Sequence, residues 1–287
     1  MLLEDLQSVL SFNAFKPDAD DPEIPWAKRH VGRRTLLLNV SRNSVSWRAI
    51  NKKGRLAESG AQEGELSEVL VARSEEFRTL CDGWCSVSVN SRFIISLESN
   101  LSRRENTTEL LRINPKAVLG AKFDRGKRYA LYHHPDASSS LLLACDDAMV
   151  KSVEDQLRVH ALRVGRVSCG LFAMIQQTLE ALRESGRPEA RGNFLLVACC
   201  EGSVTALVQQ GGLWTDLRCR AGVGSDVDSI IQIISPLVQK LAEGTPCLFV
   251  HDGNDPNFAS SMMAQLARIG AQDITTEDQL WKCIGQN

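Results

Sequence analysis

Two short turns are where this chain could do chemistry. "RTLLLNVSRNSVSWRAINKKGRL", residues 34–56, runs strand, polar turn, strand, Lys-Lys-Gly turn, strand, and "NFLLVACCEGSVTALVQQGGLWTDLRC", residues 193–219, repeats that grammar. An aspartate and glycines at such a strand-to-strand turn make a phosphate loop: the carboxylate positions Mg²⁺ through water, and glycine lets backbone amides approach the anion. The first turn offers Asn39-Val40-Ser41-Arg42 and the second Cys199-Cys200-Glu201-Gly202, and neither has the aspartate.

The other constellations read as structure. Gly222-Val223-Gly224-Ser225-Asp226 opens an expected helix, with Ser225 as its cap, and lacks the wider dinucleotide fingerprint. Asp146-Asp147 and Asp252/Asp255 each precede an expected helix, where capping and dipole stabilisation account for them. Cys81/Cys85 and His133/His134 come nearest to zinc-ligand pairs, and core and surface packing explains both, so no metal is expected. His160 falls on the apolar face of its helix as a hydrogen-bonded core residue, and "KRHVGRR", residues 28–34, reads as a solvated basic face. The nine cysteines form no Cys-x-x-Cys pair; several sit inside apolar strands as small buried hydrophobes, and a disulfide scaffold is not expected. Neither G-x-S-x-G nor H-E-x-x-H occurs.

Composition narrows the function classes. With 43% apolar and 24% charged residues the chain can bury a full core, and its net charge of −2 gives no reason to expect nucleic acid. No apolar run approaches the roughly 18–20 residues that span a bilayer, and no signal peptide opens the chain, so a cytoplasmic protein is expected.

The elements that must position the two turns follow from periodicity. Leu2, Leu3, Leu6, Val9 and Leu10 predict an amphipathic helix over 1–16, whose Leu3, Leu6 and Leu10 need a surface to bury against; "KPDADDPEIP" then reads as an acidic linker. Strands are expected at 35–40, 44–50 and 55–60, a helix at 65–80, and strands at 85–90 and 93–97. Residues 105–120 read as helical with a break at Pro115, and "RYALYHH" and "SSSLLLACD" as a hairpin through Pro135-Asp136. A helix at 147–162 started by Asp146, a strand at "RVGRVSC" and a helix at 171–185 follow. The second copy gives strands at 194–199, 203–209 and 213–219, a helix at 226–243, a strand at 247–250, a helix at 257–269 and a strand at 271–275.

Three antiparallel strands, then helix, strand, helix, strand, is the order of the ribonuclease-H-like fold. Two such units in one chain predict an α/β protein in the actin-like arrangement. The expected domains are 1–30 (helix and linker), 31–190 (first half, with a small α/β subdomain inserted at about 92–162) and 191–287 (second half). Only "RAGVGSDVD", residues 220–228, separates strand from helix in the second half, which leaves no room for an inserted subdomain there.

"SSSLLLACDDAMVKSVEDQLRVHALRVGRVSCGLFAMIQQTLEAL", residues 138–182, resembles the PilM branch of the actin-like proteins, related to FtsA, and the cytoplasmic part of GspL. The resemblance implies two D-x-G phosphate loops and a glycine-paired adenosine loop. At the matching positions stand Asn39, Ser41 and Ser44; Glu201, Gly202 and Ser203; and Gly253 alone. With both Mg²⁺-positioning carboxylates gone, the expectation is no cofactor and no catalysis. It further implies a cytoplasmic scaffold of a type IV pilus or type II secretion platform. Its partner would be a bitopic inner-membrane protein, whose N-terminal cytoplasmic peptide would lie in the inserted subdomain around Phe93, Ile95, Leu97, Leu110, Leu111 and Tyr129. Membrane association would be indirect, through that partner, and a homodimer is admitted. The alternatives are an actin-like ATPase or phosphotransferase using Glu201, and a filament-forming actin relative.

Overall fold

The computed structural model describes residues 30–82, 84–99, 101, 107–134, 139–186 and 191–285. The helix and linker expected over 1–25 and the Pro135-Asp136 turn lie outside the described residues. The chain folds as two compact units: described residues of 30–88, 153–168 and 284–285 in one, and of 89–152 and 169–283 in the other.

The first unit is built on the strands β1 (Thr35–Val40), β2 (Ser44–Ile50), β3 (Leu56–Glu63), β4 (Trp84–Val89) and β8 (Arg163–Cys169). They form one five-stranded sheet in the order β3-β2-β1-β4-β8. β1 and β2 pair antiparallel from Thr35↔Ile50 to Val40↔Val45, which sets the first turn at residues 41–44. β1 is apolar and buried on both faces at Leu36, Leu37 and Leu38. Helix α1 (Leu66–Leu80) opens on a capping box made by Glu65 and Glu68 and buries Leu66, Val69, Leu70 and Phe77.

The second unit holds the strands β9 (Phe194–Cys200), β10 (Ser203–Gln210), β11 (Leu213–Arg220), β12 (Cys247–His251) and β13 (Ala271–Asp273). Their sheet runs β11-β10-β9-β12-β13. Numbered from the start of each repeat, both sheets have the same order, 3-2-1-4-5, built on the chain order of elements expected for a ribonuclease-H-like unit. The α/β class with two such units is therefore the observed one. β9 pairs antiparallel with β10 and parallel with β12, whose flank is extended in parallel by β13. Helix α5 (Gly170–Glu184) contacts β9 and β10, and α6 (Val227–Val238) covers the other face, placing Ile230, Ile234 and Leu237 in one cluster with Val204, Ala206 and Val208. Residues 221–226 alone join β11 to α6, with no inserted subdomain.

Between β4 and helix α4 (Asp147–Val159) lies the small subdomain: β5 (Phe93–Glu98), α2 (Thr107–Ile113), α3 (Pro115–Leu119), β6 (Lys127–His133) and β7 (Ser140–Asp146). Its sheet runs β5-β7-β6, antiparallel throughout. α2 and α3 are broken apart at Pro115, whose ring rejects a continuous helix.

Several local expectations are corrected. α4 stops at Val159 because Ala161 takes a left-handed φ of 57° and Leu162 N donates back to Leu157 O at 2.9 Å. His160 therefore sits half-buried in that turn, not on the core face of the helix. α6 ends at Val238, two residues past Pro236, instead of reaching 243, and its N-cap is Asp226 in place of Ser225. The last expected helix, α7 (Pro256–Leu266), is followed by an unforeseen α8 (Gln279–Gly285), whose Leu280, Cys283 and Ile284 are buried.

Candidate functional site

The second turn, where the sequence resemblance implies a phosphate loop, is a tight hairpin. Cys200 pairs with Ser203, leaving Glu201 (φ 44°) and Gly202 (φ 70°) as the two left-handed residues of a tight hairpin. The Glu201 amide is taken by its own protein: it donates to Asp252 Oδ2 at 2.7 Å. The Gly202 carbonyl accepts from Val223 N at 2.5 Å and Gly224 N at 3.0 Å. A Cβ on Gly202 would lie 2.8 Å from the Gly224 Cα. The Gly222–Gly224 loop thus packs directly on the turn beside Gly202.

The polar groups around this turn are engaged with one another. Ser203 Oγ donates to the Asn90 carbonyl at 3.1 Å and accepts from Gly222 N at 3.3 Å. Asn90 Nδ2 reaches Glu201 Oε2 at 3.5 Å, and its Oδ1 accepts from Leu171 N at 3.0 Å, supplying the start of α5 with the cap that Cys169 does not. Two carboxylates, Glu201 and Asp252, stand together at this turn. Burial first, then the Asp252 charge, pushes the Cys199 and Cys200 thiols up. Negative charge repels negative charge here. Asp252, expected as a helix cap, therefore belongs to the turn. Asp255 keeps that role, accepting from Asn257 N and Phe258 N at 3.0 Å.

The first turn is closed on itself. Ser41 N donates to the Ser44 carbonyl at 3.0 Å, and the two hydroxyls share a hydrogen bond of 2.7 Å. Asn39, 1% exposed at the end of β1, reaches Ser46 Oγ at 3.5 Å with its amide nitrogen. At the third position Gly253 N donates to His251 Nδ1 at 3.0 Å. Of the acidic pair at the start of α4, Asp146 accepts from Ala148 N at 3.0 Å, whereas Asp147 binds Lys151 and Arg128, which hold its carboxyl below the usual range. Among the described residues no three His, Cys, Asp or Glu side chains are arranged to hold a metal.

The six positions expected to contact a partner divide by burial. Phe93, Ile95 and Leu111 are interior, and Leu111 forms a cluster with Leu119, Leu131 and Leu142. Leu97, Leu110 and Tyr129 are half-buried, and Tyr129 packs on that cluster while its hydroxyl accepts from Asp124 N at 2.8 Å. Sequence pattern passes over Ile94, which is 61% exposed because β5 presents alternate side chains to opposite faces. Residues 95–97 of β5, the edge strand β11 and the flank of α6 together border an open, largely polar groove of about 1000 Å³, with Arg218 and Arg220 on its wall.

Among solved structures, a chain of the PilM–PilN type IV pilus biogenesis complex matches with a TM-score of 0.53 and 13% identity over 87% of this chain and 89% of that one. A Bacteroides thetaiotaomicron protein of actin-like ATPase fold and unknown function matches at 0.50 and 10%, over 89% and 96%. The cytoplasmic domain of EpsL, an inner-membrane component of the Vibrio cholerae type II secretion system, matches at 0.48 and 14%, over 76% and 82%. The fold is thus the actin-like one. No family model and no curated protein matches the chain. Among the described residues no helix is long and apolar enough to cross a membrane.

Proposed function

We propose that this chain is a non-catalytic, actin-like scaffold of a type IV pilus or type II secretion inner-membrane platform. It would work on the cytoplasmic face and bind the N-terminal cytoplasmic peptide of a bitopic partner. The observation that carries the proposal is the closed second turn: the Glu201 amide bound to Asp252 and the Gly202 carbonyl bound to the Gly222–Gly224 loop. An actin-like fold whose phosphate loop is packed by its own chain is left with its surfaces as the means of acting. The solved PilM–PilN complex supplies the class of partner.

The groove beside β5 is the surface we assign to the peptide, because an extended segment laid in a groove can draw on backbone hydrogen bonds and side-chain pockets together. Immobilised N-terminal peptides of bitopic platform proteins should retain the full chain. Leu97→Asp, at the half-buried rim of the groove, should abolish retention while leaving the melting temperature within a few degrees. Retention unchanged by that substitution would move the site elsewhere.

Calorimetry with ATP and Mg²⁺ should show no binding heat. A low-micromolar affinity, about −8 kcal/mol, would restore the reading as an actin-like ATPase or phosphotransferase. Sedimentation at rising concentration should show at most a dimer; filaments would favour the cytoskeletal alternative.

A further inference from the structure

Beside the C-terminal half of α5, the second unit forms a partly open cavity of about 260 Å³ that the scaffold reading does not use. Its floor is Trp214, 5% exposed, with Tyr132 stacked on it at a centroid distance of 5.8 Å and His134 edge-on at 4.7 Å. Leu179, Leu182 and Phe194 give it apolar walls. Arg183 and Arg191, both exposed, stand on its lining, and no acidic side chain does. The indole Nε1–H of Trp214 is buried with no hydrogen-bond acceptor among the described residues.

These features ask for one kind of occupant. A buried N–H without an acceptor is a standing deficit that a ligand oxygen would relieve. Flat aromatic and aliphatic walls take a flat or short apolar body. Two guanidinium groups on the lining, with Glu180 the carboxylate whose charge also reaches Tyr132, leave positive charge in excess for a planar anion, which Arg grips through paired N–H donors. At roughly 30 Å³ per non-hydrogen atom, the liquid-water share, the volume admits about nine such atoms. We propose that this cavity binds a small amphipathic carboxylate, with its apolar body against Tyr132 and Leu179, its charge held by Arg183 and Arg191, and one carboxylate oxygen accepting from the Trp214 Nε1–H.

Benzoate is a probe of that size and charge, and benzamide is its uncharged counterpart. In a two-dimensional NMR titration of the full chain, the indole N–H signal that disappears in Trp214→Phe is the reporter. Benzoate should shift it saturably, benzamide should do so at least about tenfold more weakly, and the double variant Arg183→Gln/Arg191→Gln should lose about tenfold in benzoate affinity. Both arginines are exposed, so that variant keeps its fold, and its unchanged spectrum elsewhere checks this. The proposal is overturned if the Trp214 signal does not move, if benzamide binds as well as benzoate, or if the arginine variant binds benzoate undiminished.

Discussion

Gly202 shows how far a single residue can decide the fate of a site. Its φ of 70° and the 2.8 Å separation between a hypothetical Cβ and the Gly224 Cα leave no room for a side chain. Gly202→Ala should cost about 1–3 kcal/mol, read as a lowered denaturation midpoint, by displacing the Gly222–Gly224 loop. A melting curve unchanged by the substitution would show that the loop is not seated on the turn. The sequence made the degeneracy legible, because a missing aspartate at Asn39 or Cys200 is visible by inspection. The closure was not legible. The carboxylate that captures the Glu201 amide lies 51 residues away, and its neighbour Asp255 does cap a helix, so local pattern gave both aspartates the same role.

Among the elements, strands were easier to read than helix ends. Alternating and fully apolar stretches placed β1, β2, β9 and β10 within a residue of where they lie, because a core on one or both faces leaves a period in the sequence. Helix ends depend on single backbone conformations instead. α4 closes through Ala161, an exposed residue in the left-handed region where glycine is usual. Its φ of 57° strains an L-residue, so Ala161→Gly should stabilise the protein by about 1 kcal/mol, measurable as a higher thermal midpoint. A lower midpoint would mean that the flexibility added to the unfolded chain outweighs the relieved strain. α8 escaped notice because seven residues carry too short a period, although Leu280, Cys283 and Ile284 hold helical spacing.

At the scale of the whole molecule, the thiols set a pH limit. Eight of the nine cysteines are buried and Cys219 is half-buried. Burial pushes Cys145 up to about 11 and Cys247 up to about 12, and drives Cys85, Cys169, Cys199 and Cys200 further in the same direction. The unfolded chain ionises its thiols from about pH 8.5, whereas the folded chain keeps them protonated. Stability carried by these groups is therefore complete below that pH and falls as pH rises toward 11 to 12, by about 1.4 kcal/mol per pH unit for each thiol. The melting temperature should hold from pH 6 to 8 and drop steeply above 9. In the native state a thiol reagent should titrate at most Cys219, and after denaturation all nine. The closed turn carries a different consequence, one of history. On the non-catalytic reading proposed above, installing aspartates at the two turns one at a time would not create a nucleotide site. An aspartate at Cys200, 1% exposed, would bury a charge between two existing carboxylates, and an aspartate at Asn39 would face a turn already sealed by its serines. On that reading several changes would have to arrive together, so the closed turn would work as a ratchet.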